Sequence, residues 1–431
     1  MVGGPVRDGL LGKAQGKDID LLICRIPFEK LKNFLGRRGE IYLVGQSFGV
    51  IKFKPSGDGR VIDISLPRKE RSTGTGHRDF VVDFDPDIPL EIDLGRRDFT
   101  INAMARDCLT GELIDPFGGR KDLADRVLRM ISPSGFIEDP LRMMRGVQFM
   151  ARLELTVHLD TEKAMTEQSH LISSVAAERL ADELNKLLLA KKPSPGFRLM
   201  QRTGLLRQVL PEIENTVGVA QPGGYHRWDV FEHTLQTIDN APLSLPVRLA
   251  ALFHDCGKPA TKIDTDSGAS FYGHDRLGRD LAGKALKRLR YSGDLIETVC
   301  LLVEKHMFSE SAGEKGIRRL ISKVGVDKIY DLIDLRKADT LAQGMGQSIE
   351  GIEEFRSRVK AEIEKKSAFG LKDLLIDGND IKSLLGIEEG PLVGRILNEL
   401  FELVLDEPAL NNREKLQQLA REIFRKRQLD K

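Results

Sequence analysis

The chain has 431 residues, enough for two to four domains with substantial cores. Its 66 Lys and Arg residues balance 65 Asp and Glu residues, so a nucleic-acid partner would have to bind local basic patches. Four cysteines without a C-x-x-C pair argue against a disulfide framework or thiolate zinc site and favour a reducing, cytoplasmic location. The sequence has neither an apolar run of about 18 residues nor a signal-peptide pattern, so we expect no membrane association.

Short β-rich runs between turn residues dominate the first part of the chain and predict a small sheet with covering helices. These runs are "DIDLLIC" (18–24), "EIYLVG" (40–45), "GVIKFK" (49–54) and "VIDISL" (61–66). From about Arg126 onward, apolar residues recur at helical spacing, with breaks at Pro- and Gly-containing segments. We therefore predict an α+β fold in which a head with a small mixed sheet precedes a long all-α body.

Two aspartates stand at the head of the first predicted strand. Side chains alternate along a strand, so Asp18 and Asp20 point the same way and crowd one small volume. Such carboxylates repel unless a cation lies between them, and Mg²⁺ prefers oxygen ligands. Asp63, in "VIDISLPR", is a candidate third carboxylate, although an ordinary strand aspartate would fit the same pattern. The pattern favours phosphoryl or nucleotidyl transfer on metal ions.

A phosphate-binding turn is predicted just before these aspartates. Gly3 and Gly4 allow the backbone to approach a ligand closely, and the helix expected after them directs N–H groups toward phosphate. Arg7 can add a charge-assisted contact. Gly-Gly alone is weak evidence, and its value comes from the aspartates that follow.

Six motifs give the chain a family resemblance. They are "GGPVRD", "DID", "VIDISLPR", "RRDFTINA", "DPFGGRKDL" and "EDPLRMMRGVQFMARL". In this order they resemble the class II tRNA nucleotidyltransferases, which are the CCA-adding enzymes, and their bacterial poly(A) polymerase relatives. The resemblance implies a polymerase-β-like nucleotidyltransferase head in which Asp18 and Asp20 bind catalytic Mg²⁺. It also implies that Arg97, Asp98 and Asn102 hold the incoming nucleotide. One departure is the start at Met1, where relatives have a longer lead-in strand.

The motif "EDPLR" is where this family reads the incoming base. Asp139 and Pro140 are also typical of a helix N-cap and first turn, while Arg142 and Arg145 share one helix face. Cytosine and adenine both present an exocyclic amine beside a ring-nitrogen acceptor, so one carboxylate and one guanidinium suit both. Uracil and guanine would leave a carbonyl against the carboxylate, at a cost of roughly 1–3 kcal/mol. The motif therefore predicts selection of CTP and ATP.

A second constellation of metal-ligating residues lies in the middle of the chain, where five of the eight histidines fall between residues 226 and 306. Imidazoles and carboxylates on several helices converge readily in a bundle, although any one of them could be an ordinary buried residue. The set resembles the HD phosphohydrolase domain. By that resemblance one divalent transition metal would be held by His233, His254, Asp255 and Asp339. His274 and His306 would then serve a second metal or the substrate phosphate.

We predict four segments: a nucleotidyltransferase head (1–125), a helical neck with the base-recognition motif (126–222), an HD phosphohydrolase-like domain (223–345) and a tRNA-binding helical tail (346–431). The favoured function is addition of CCA to tRNA from CTP and ATP, with phosphatase or 2′,3′-cyclic phosphodiesterase activity in the HD domain. Alternatives are a CC-adding or A-adding enzyme, a poly(A) polymerase, or an HD nucleotide hydrolase or RNA-binding protein with an inactive head. The sequence does not determine an oligomeric state.

Two further segments bear on RNA. Residues 68–98 are long and polar enough for the flexible loop that complete CCA-adding relatives use when they switch from C to A. The basic runs "KALKRLR" (284–290) and "REIFRKRQ" (421–428) are candidate RNA-binding faces, although each is more typical of a solvated helix face.

Overall fold

The computed structural model describes residues 1–13, 19–44, 50–57, 59–72, 80–221, 228–265, 268–344, 346, 348–365 and 367–429. The chain divides into two compact units, Met1–Glu214 with Arg288–Tyr291, and Asn215–Lys287 with Ser292–Lys431. Across the described ranges, the helices are too short or too polar to cross a bilayer.

The first unit combines small sheets with helices. Its strands are β1 (Ile19–Leu22), β2 (Gly39–Val44), β3 (Val50–Pro55), β4 (Ile62–Ser65), β5 (Arg68–Ser72), β6 (Phe80–Phe84), β7 (Ala105–Arg106), β8 (Leu113–Ile114), β9 (Val127–Leu128) and β10 (Thr156–Val157). Its helices are α1 (Gly4–Leu10), α2 (Phe28–Gly36), α3 (Leu90–Gly95), α4 (Gly119–Ala124), α5 (Ser134–Glu138), α6 (Leu141–Leu153), α7 (Leu159–Gln168), α8 (Ala177–Leu188), α9 (Ser194–Arg202), α10 (Leu205–Val209) and α11 (Pro211–Glu214).

The main sheet has the strand order β1-β4-β3-β2, in which β1 and β4 are parallel and the other neighbours antiparallel. Alternating apolar residues on β3 and β4 face α2, where Leu31 and Leu35 join Ile51, Phe53 and Ile64 in one core. The other face of the sheet is thereby left for polar side chains. In this register Asp20 of β1 lies beside Asp63 of β4.

A second core lies under α6, α8 and α9. Apolar residues recur at helical spacing along α8, and Leu180, Leu184 and Leu187 are buried. Phe99 lies beneath α6, with its ring centroid 6.3 Å from that of Phe136 and 6.1 Å from that of Phe149. The segment around Phe99 is therefore fixed by ring packing on both sides.

The second unit is almost entirely helical. Its helices are α12 (Val230–Asn240), α13 (Leu245–Phe253), α14 (Lys258–Thr261), α15 (His274–Arg288), α16 (Gly293–Lys305), α17 (Glu314–Val324), α18 (Ile329–Ala342), α19 (Glu350–Glu364), α20 (Gly378–Leu385), α21 (Pro391–Asp406) and α22 (Arg413–Leu429). One antiparallel hairpin interrupts them, with strands β11 (Ile263–Thr265) and β12 (Gly268–Ser270).

The predicted α+β architecture is confirmed, and the four strands expected in the head form one sheet. The body is helical apart from two short strand pairs, β9 with β10 and β11 with β12. Within residues 68–98, β5 and β6 pair as an antiparallel ribbon and α3 follows. Residues 73–79 lie outside the described residues, so the flexible loop expected in this segment stays a prediction. The β-branched and aromatic run "FVVDF" explains this ribbon, because such residues favour strands even in a polar context.

A buried ion pair connects three helices of the second unit. The Arg318 guanidinium of α17 pairs with Glu362 of α19 at 3.1 Å and donates to the carbonyl oxygens of Leu405 and Asp406 at 2.7 and 3.0 Å. Arg318 and Glu362 are both buried. The two carbonyls lie at the C-terminal end of α21, so this guanidinium satisfies groups that the helix leaves without an internal partner.

We expect Arg318→Ala to destabilise the α17–α19–α21 region by about 3 kcal/mol, because two carbonyls lose their donor and the buried Glu362 carboxylate keeps, among the described residues, only its contact with Lys365 at 2.5 Å. Amide hydrogen exchange of these helices measures the change. Arg319→Ala is the matched control, since Arg319 is half-exposed and forms surface ion pairs with Glu402 and Asp406, which are worth about 0–1 kcal/mol. Equal exchange protection in the two variants would contradict this assignment.

Candidate nucleotide site and metal centre

The first unit contains a polar cavity of about 410 Å³. Nine of the residues predicted from the sequence line it, namely Gly4, Arg7, Asp20, Arg97, Asp98, Asn102, Asp139, Arg142 and Arg145. Arg96, Leu141, Phe149 and Arg179 complete the wall. Six arginines thus face three aspartates, a balance suited to a polyanionic ligand such as a triphosphate.

Asp98 is the buried centre of a hydrogen-bond network. Its carboxylate accepts from the Phe99 N–H at 2.8 Å, from Asn102 Nδ2 at 2.9 Å and from Arg145 Nε at 2.7 Å. Asn102 Oδ1 in turn accepts from Arg7 Nη1 at 2.7 Å. Burial alone would raise the pKa of Asp98, but the Arg145 charge and the hydrogen bonds hold it below its ordinary value. Asp98 is therefore an anion that positions the cations around it.

The turn before α1 is shaped to accommodate an arginine. Gly3 has φ 71°, and a Cβ on it would lie 2.5 Å from Arg97 Nη1. The positive φ favours glycine at this position, and a side chain there would displace the end of the Arg97 guanidinium. Burial lowers the pKa of Arg97, while the neighbouring Asp93 opposes that shift. The predicted turn and helix are both present, and the structure explains Gly3 by Arg97.

Three residues of "EDPLR", Asp139, Leu141 and Arg142, line the same cavity. Asp139 accepts from Arg179 Nη2 at 3.2 Å, and Pro140, not Asp139, occupies the N-cap position of α6. Arg142 donates to the carbonyl of Arg97 at 3.4 Å and packs so closely on Gly135 that a Cβ there would lie 2.7 Å from its Nη1. The Asp139 carboxylate and the Arg142 guanidinium thus both line this cavity.

The predicted carboxylates of the Mg²⁺ site are only partly described. Asp18 lies outside the described residues. Asp20 lines the cavity, and its neighbour in the parallel register is Asp63. Asp63 pairs with Lys52 at 3.2 Å and does not line the cavity. Carboxylate oxygens on adjacent strands fit a hard divalent cation, but their service as ligands remains a prediction.

Sequence reasoning missed four residues of this wall. Arg96 could have been found, because it forms the doubled arginine of "RRDFTINA". Phe149 lies under two guanidinium groups, with Arg7 at 5.1 Å and Arg145 at 5.3 Å from its ring centroid. Arg179 is a polar residue on the amphipathic helix α8, so it is indistinguishable in sequence from a solvated face.

The second unit brings all six predicted HD residues together in a buried cluster. They form two potential metal-binding groups, His233–His254–Asp339 and Asp255–His274–His306. His233 Nε2 lies 2.9 Å from Asp339 Oδ1, and His254 Nε2 lies 3.2 Å from Asp255 Oδ2. The sequence places Asp255 in one ligand set with His233, His254 and Asp339. In the structure Asp255 groups with His274 and His306, although it remains close to His254.

Ring orientation shows why these histidines suit a metal. The Nδ1 atoms of His254, His274 and His306 lie 2.8, 2.7 and 2.6 Å from the carbonyl oxygens of Ala251, Phe271 and Val303. A carbonyl only accepts, so Nδ1 carries the proton and Nε2 presents a lone pair. The Nε2 atoms of His274 and His306 lie 3.3 Å apart. Two such lone pairs that close call for a cation, and the donors fit one.

Charge and burial reinforce this arrangement. Burial lowers the pKa of His306 to about 4, with His254 adding to the effect, so its imidazole is neutral near pH 7. The pKa of Asp255 lies well below its ordinary range, because His254 and Lys258 outweigh the effect of burial. Lys258 Nζ lies 2.6 Å from Asp255 Oδ2 and 2.7 Å from Gln221 Oε1. Neutral imidazoles and ionised carboxylates are the metal-binding forms. Burial disfavours protonation of His254, but the Asp255 charge raises its pKa above the ordinary value, so metal binding would displace this proton.

A cavity of about 480 Å³ opens onto this cluster. Asp255, His274, His306 and Asp339 reach its wall, and Lys258 and Arg336 supply positive charge. A metal-activated water beside two cations is an arrangement that can hydrolyse a phosphate ester.

Three family models match successive parts of the chain. They are described as the poly A polymerase head domain (residues 1–129), the probable RNA and SrmB-binding site of polymerase A (154–216) and the HD domain (230–344). The first two models contain most of the cavity wall around Asp98, and the third contains all six HD residues.

Relatives carry the same combination. The chain is 37% identical over 339 residues to the A-adding tRNA nucleotidyltransferase of Deinococcus radiodurans, covering 74% of this chain and 76% of that protein. It is 41% identical over 271 residues to the multifunctional CCA protein of Xanthomonas campestris pv. campestris, covering 61% and 63% respectively.

Solved structures share the fold. The structure of the Bacillus stearothermophilus CCA-adding enzyme in complex with CTP matches with a TM-score of 0.71 and 22% identity, covering 100% of this chain and 94% of that one. The Thermotoga maritima CCA-adding enzyme complexed with tRNA matches with a TM-score of 0.58 and 20% identity, covering 98% and 90%.

The fold and the cavity around Asp98 define a nucleotidyltransferase of the poly(A) polymerase type, joined to an HD domain. The Deinococcus radiodurans tRNA nucleotidyltransferase, 37% identical over about three quarters of both chains, narrows this class of nucleotidyltransferases. The chain belongs to the bacterial tRNA nucleotidyltransferase family.

The HD cluster predicts that the His254→Ala/Asp255→Ala double variant loses bound transition metal, since both of the potential metal-binding groups lose a ligand. We expect at least a tenfold lower metal content after dialysis, measured by elemental analysis. His170→Ala, which alters an exposed histidine of the first unit, should leave the content unchanged. Undiminished metal in a folded double variant would show that the cluster is not the binding site.

Proposed function

We propose that the protein adds CCA to the 3′ end of tRNA, without a nucleic-acid template, from CTP and ATP. The observation that carries this proposal is one cavity that combines an arginine-rich wall, Asp20, and the Asp139–Arg142 pair. In the reaction, the terminal hydroxyl oxygen of the tRNA bonds to the α-phosphorus, the bond to the β-phosphate oxygen breaks, and pyrophosphate leaves. The hydroxyl proton is lost to solvent.

The arginines around Asp98 account for triphosphate binding in this proposal. Arg7 lies on α1 and Arg97 lies against Gly3 in the turn before it, and Asn102 holds Arg7 in place by accepting from it at 2.7 Å. Asp18, Asp20 and Asp63 would hold Mg²⁺, which when bound lowers the pKa of the attacking hydroxyl and neutralises the leaving pyrophosphate. Phosphate is thus held by cations that are already oriented by Asp98, with little reorganisation during the reaction.

Asp139 and Arg142 select the base. A carboxylate accepts from the exocyclic amine of cytosine or adenine, and a guanidinium donates to the adjacent ring nitrogen. Arg179 supports this function, because its ion pair at 3.2 Å holds the Asp139 carboxylate at the cavity wall. Binding of uracil or guanine would place a carbonyl against Asp139 and leave both groups unpaired.

The name of one relative directly supports an alternative to complete CCA addition. Several are named multifunctional CCA protein, whereas the Deinococcus radiodurans relative is an A-adding enzyme. An A-adding enzyme would extend only tRNA that already ends in CC. A poly(A) polymerase, the other candidate, would use ATP without CTP. Nucleotide use on tRNA lacking CCA distinguishes all three.

The second unit supports a metal-dependent phosphohydrolase acting on phosphomonoesters or 2′,3′-cyclic phosphates. His233, His254, His274 and His306, with Asp255 and Asp339, would hold one or two divalent transition metals. When bound, the metal supplies a nucleophilic water at neutral pH. Water then adds to phosphorus and one P–O ester bond breaks, while Lys258 and Arg336 stabilise the phosphate charge.

The tRNA would contact basic helix faces, and of the two candidates the segment 421–428 keeps Arg421, Arg425 and Lys426 exposed. In the segment 284–290, Arg288 and Arg290 form ion pairs with Glu212 and Glu178.

We expect wild-type protein to extend tRNA lacking CCA by three nucleotides with CTP and ATP together, and by two with CTP alone. Product sizing on a denaturing gel measures this. Asp20→Asn should lower addition at least 100-fold, because it removes a proposed metal ligand, and should leave the second-unit hydrolase unchanged. Extension only of tRNA ending in CC would instead identify an A-adding enzyme, and full activity of Asp20→Asn would contradict its role.

We expect Asp139→Ala and Arg142→Ala to reduce discrimination against UTP and GTP by about 10-fold or more, since each removes one partner of the base edge. Competing-nucleotide assays with all four triphosphates measure the ratio. Arg152→Ala is a matched control, because this arginine also lies on α6 but bonds Gln148 away from the cavity. Unchanged selection in both test variants would assign base choice to other residues.

A further inference from the structure

One arginine of the nucleotide cavity is attracted by carboxylates inside and outside that cavity. Arg97 and Asp20 both line the cavity, whereas Asp93 is 0% exposed and does not line it. Arg97 Nη2 lies 3.6 Å from Asp93 Oδ2. Burial lowers the pKa of Arg97, and the charges of Asp93, Asp98 and Asp20 oppose that shift. Asp20 therefore competes with Asp93 for the same guanidinium.

The backbone brings the Arg97 guanidinium close to Asp20. The Val2 N–H donates to the carbonyl oxygen of Asp20 at 3.0 Å, and Gly3 follows Val2 in the chain. A Cβ on Gly3 would lie 2.5 Å from Arg97 Nη1. Nη1 itself donates to the Asn102 carbonyl at 3.4 Å, which is long for a hydrogen bond. One end of the guanidinium thus lies against the turn that is bonded to Asp20, and it is weakly held there.

The two carboxylate oxygens of Asp93 have different surroundings. Oδ1 accepts from Arg96 Nε at 3.0 Å, from Arg96 Nη2 at 2.8 Å and from the Arg68 N–H at 3.3 Å. Among the described residues, neither Asp93 Oδ2 nor Arg97 Nε has a hydrogen-bond partner, although both atoms are buried. Buried polar atoms are rarely left unpaired. Oδ1 therefore fixes the carboxylate, while Oδ2 acts on Arg97 through its charge.

We propose that Asp93 is a positioning residue for nucleotide addition, which holds the Arg97 guanidinium away from Asp20 and so leaves the Asp20 carboxylate free to bind Mg²⁺. A guanidinium and a metal ion compete for the same carboxylate oxygens. A guanidinium that is largely withdrawn from water needs an anion beside it. Without the Asp93 charge, Arg97 would therefore pair with Asp20. The inference rests on the proposed Mg²⁺ site and assigns its protection to a residue outside the cavity.

Asp93→Asn tests the interaction selectively. The amide oxygen of asparagine can still accept from Arg96 and the Arg68 N–H, whereas its amide nitrogen would face Arg97 without a negative charge. We expect the variant to bind Mn²⁺, a paramagnetic substitute for Mg²⁺, about 10-fold more weakly, as is typical when a residue that supports a metal site is changed. The Mg²⁺ concentration that gives half-maximal CTP addition should rise by a similar factor.

Electron paramagnetic resonance of free Mn²⁺ measures the affinity in the absence of nucleotide. All variants are compared in the His254→Ala/Asp255→Ala background, so that the second-unit cluster does not contribute. Asp122→Asn is the matched control and should leave the affinity unchanged. Asp122 is also a buried carboxylate that binds an arginine, but neither it nor its partner Arg129 lines the cavity.

Removing Arg97 shows whether the effect passes through it. In an Arg97→Gln background, Asp93→Asn should no longer weaken Mn²⁺ binding, because no guanidinium remains to occupy Asp20. Unchanged affinity in the single Asp93→Asn variant, or an equal loss with and without Arg97, would overturn the inference.

A metal-free crystal structure of Asp93→Asn separates this inference from the Mg²⁺ proposal. We expect Arg97 to form an ion pair with Asp20 in that structure, and a guanidinium that stays in place would overturn the positioning role. If Asp20→Asn binds Mn²⁺ as tightly as the protein with Asp20, the Mg²⁺ proposal fails instead.

Discussion

Asp98 carries a negative charge in the interior of the first unit, and a carboxylate withdrawn from water is stable only when donors surround it. The Phe99 N–H, Asn102 and Arg145 meet that requirement. Phe99 and Asn102 belong to the same segment after α3 as Asp98, whereas Arg145 lies on α6, so satisfying one charge aligns this segment with α6. Arg7 follows through Asn102, which brings α1 into the same network. The geometry of the cavity is a consequence of neutralising this carboxylate.

The excess of arginine over aspartate in that cavity has its own cost, since like charges repel at short range. Ion pairs inside the wall reduce it: Arg96 pairs with Asp93, and Arg179 with Asp139. Phe149 adds a ring face that attracts the guanidinium groups of Arg7 and Arg145. The remaining positive potential is what an incoming triphosphate would neutralise, so ligand binding would relieve repulsion that folding leaves in place.

The sequence predicted the head sheet well, because its strands are short apolar runs bounded by turn residues. It also predicted which histidines and aspartates the structure gathers in one buried cluster, since histidines are rare in this chain. Their role as metal ligands stays a prediction. The β5–β6 ribbon was missed because its polar residues resemble a loop. Arg179 was missed because its role depends on how α8 packs against α6, a long-range relation that helical periodicity does not contain. The cluster's division into two groups likewise depends on interatomic distances.

Asp255 stands between the two ligand groups of the second unit, with its oxygens 3.2 Å from His254 Nε2 and 3.5 Å from His274 Nε2. A metal ion bound at one group would draw electron density from the Asp255 carboxylate, which the other group also uses. It would also change the charge that Lys258 experiences. Two cations would therefore bind with a coupling free energy, and each would alter the affinity of the other by the same factor. The stoichiometry of the cluster would then respond to the free metal concentration as a single linked equilibrium.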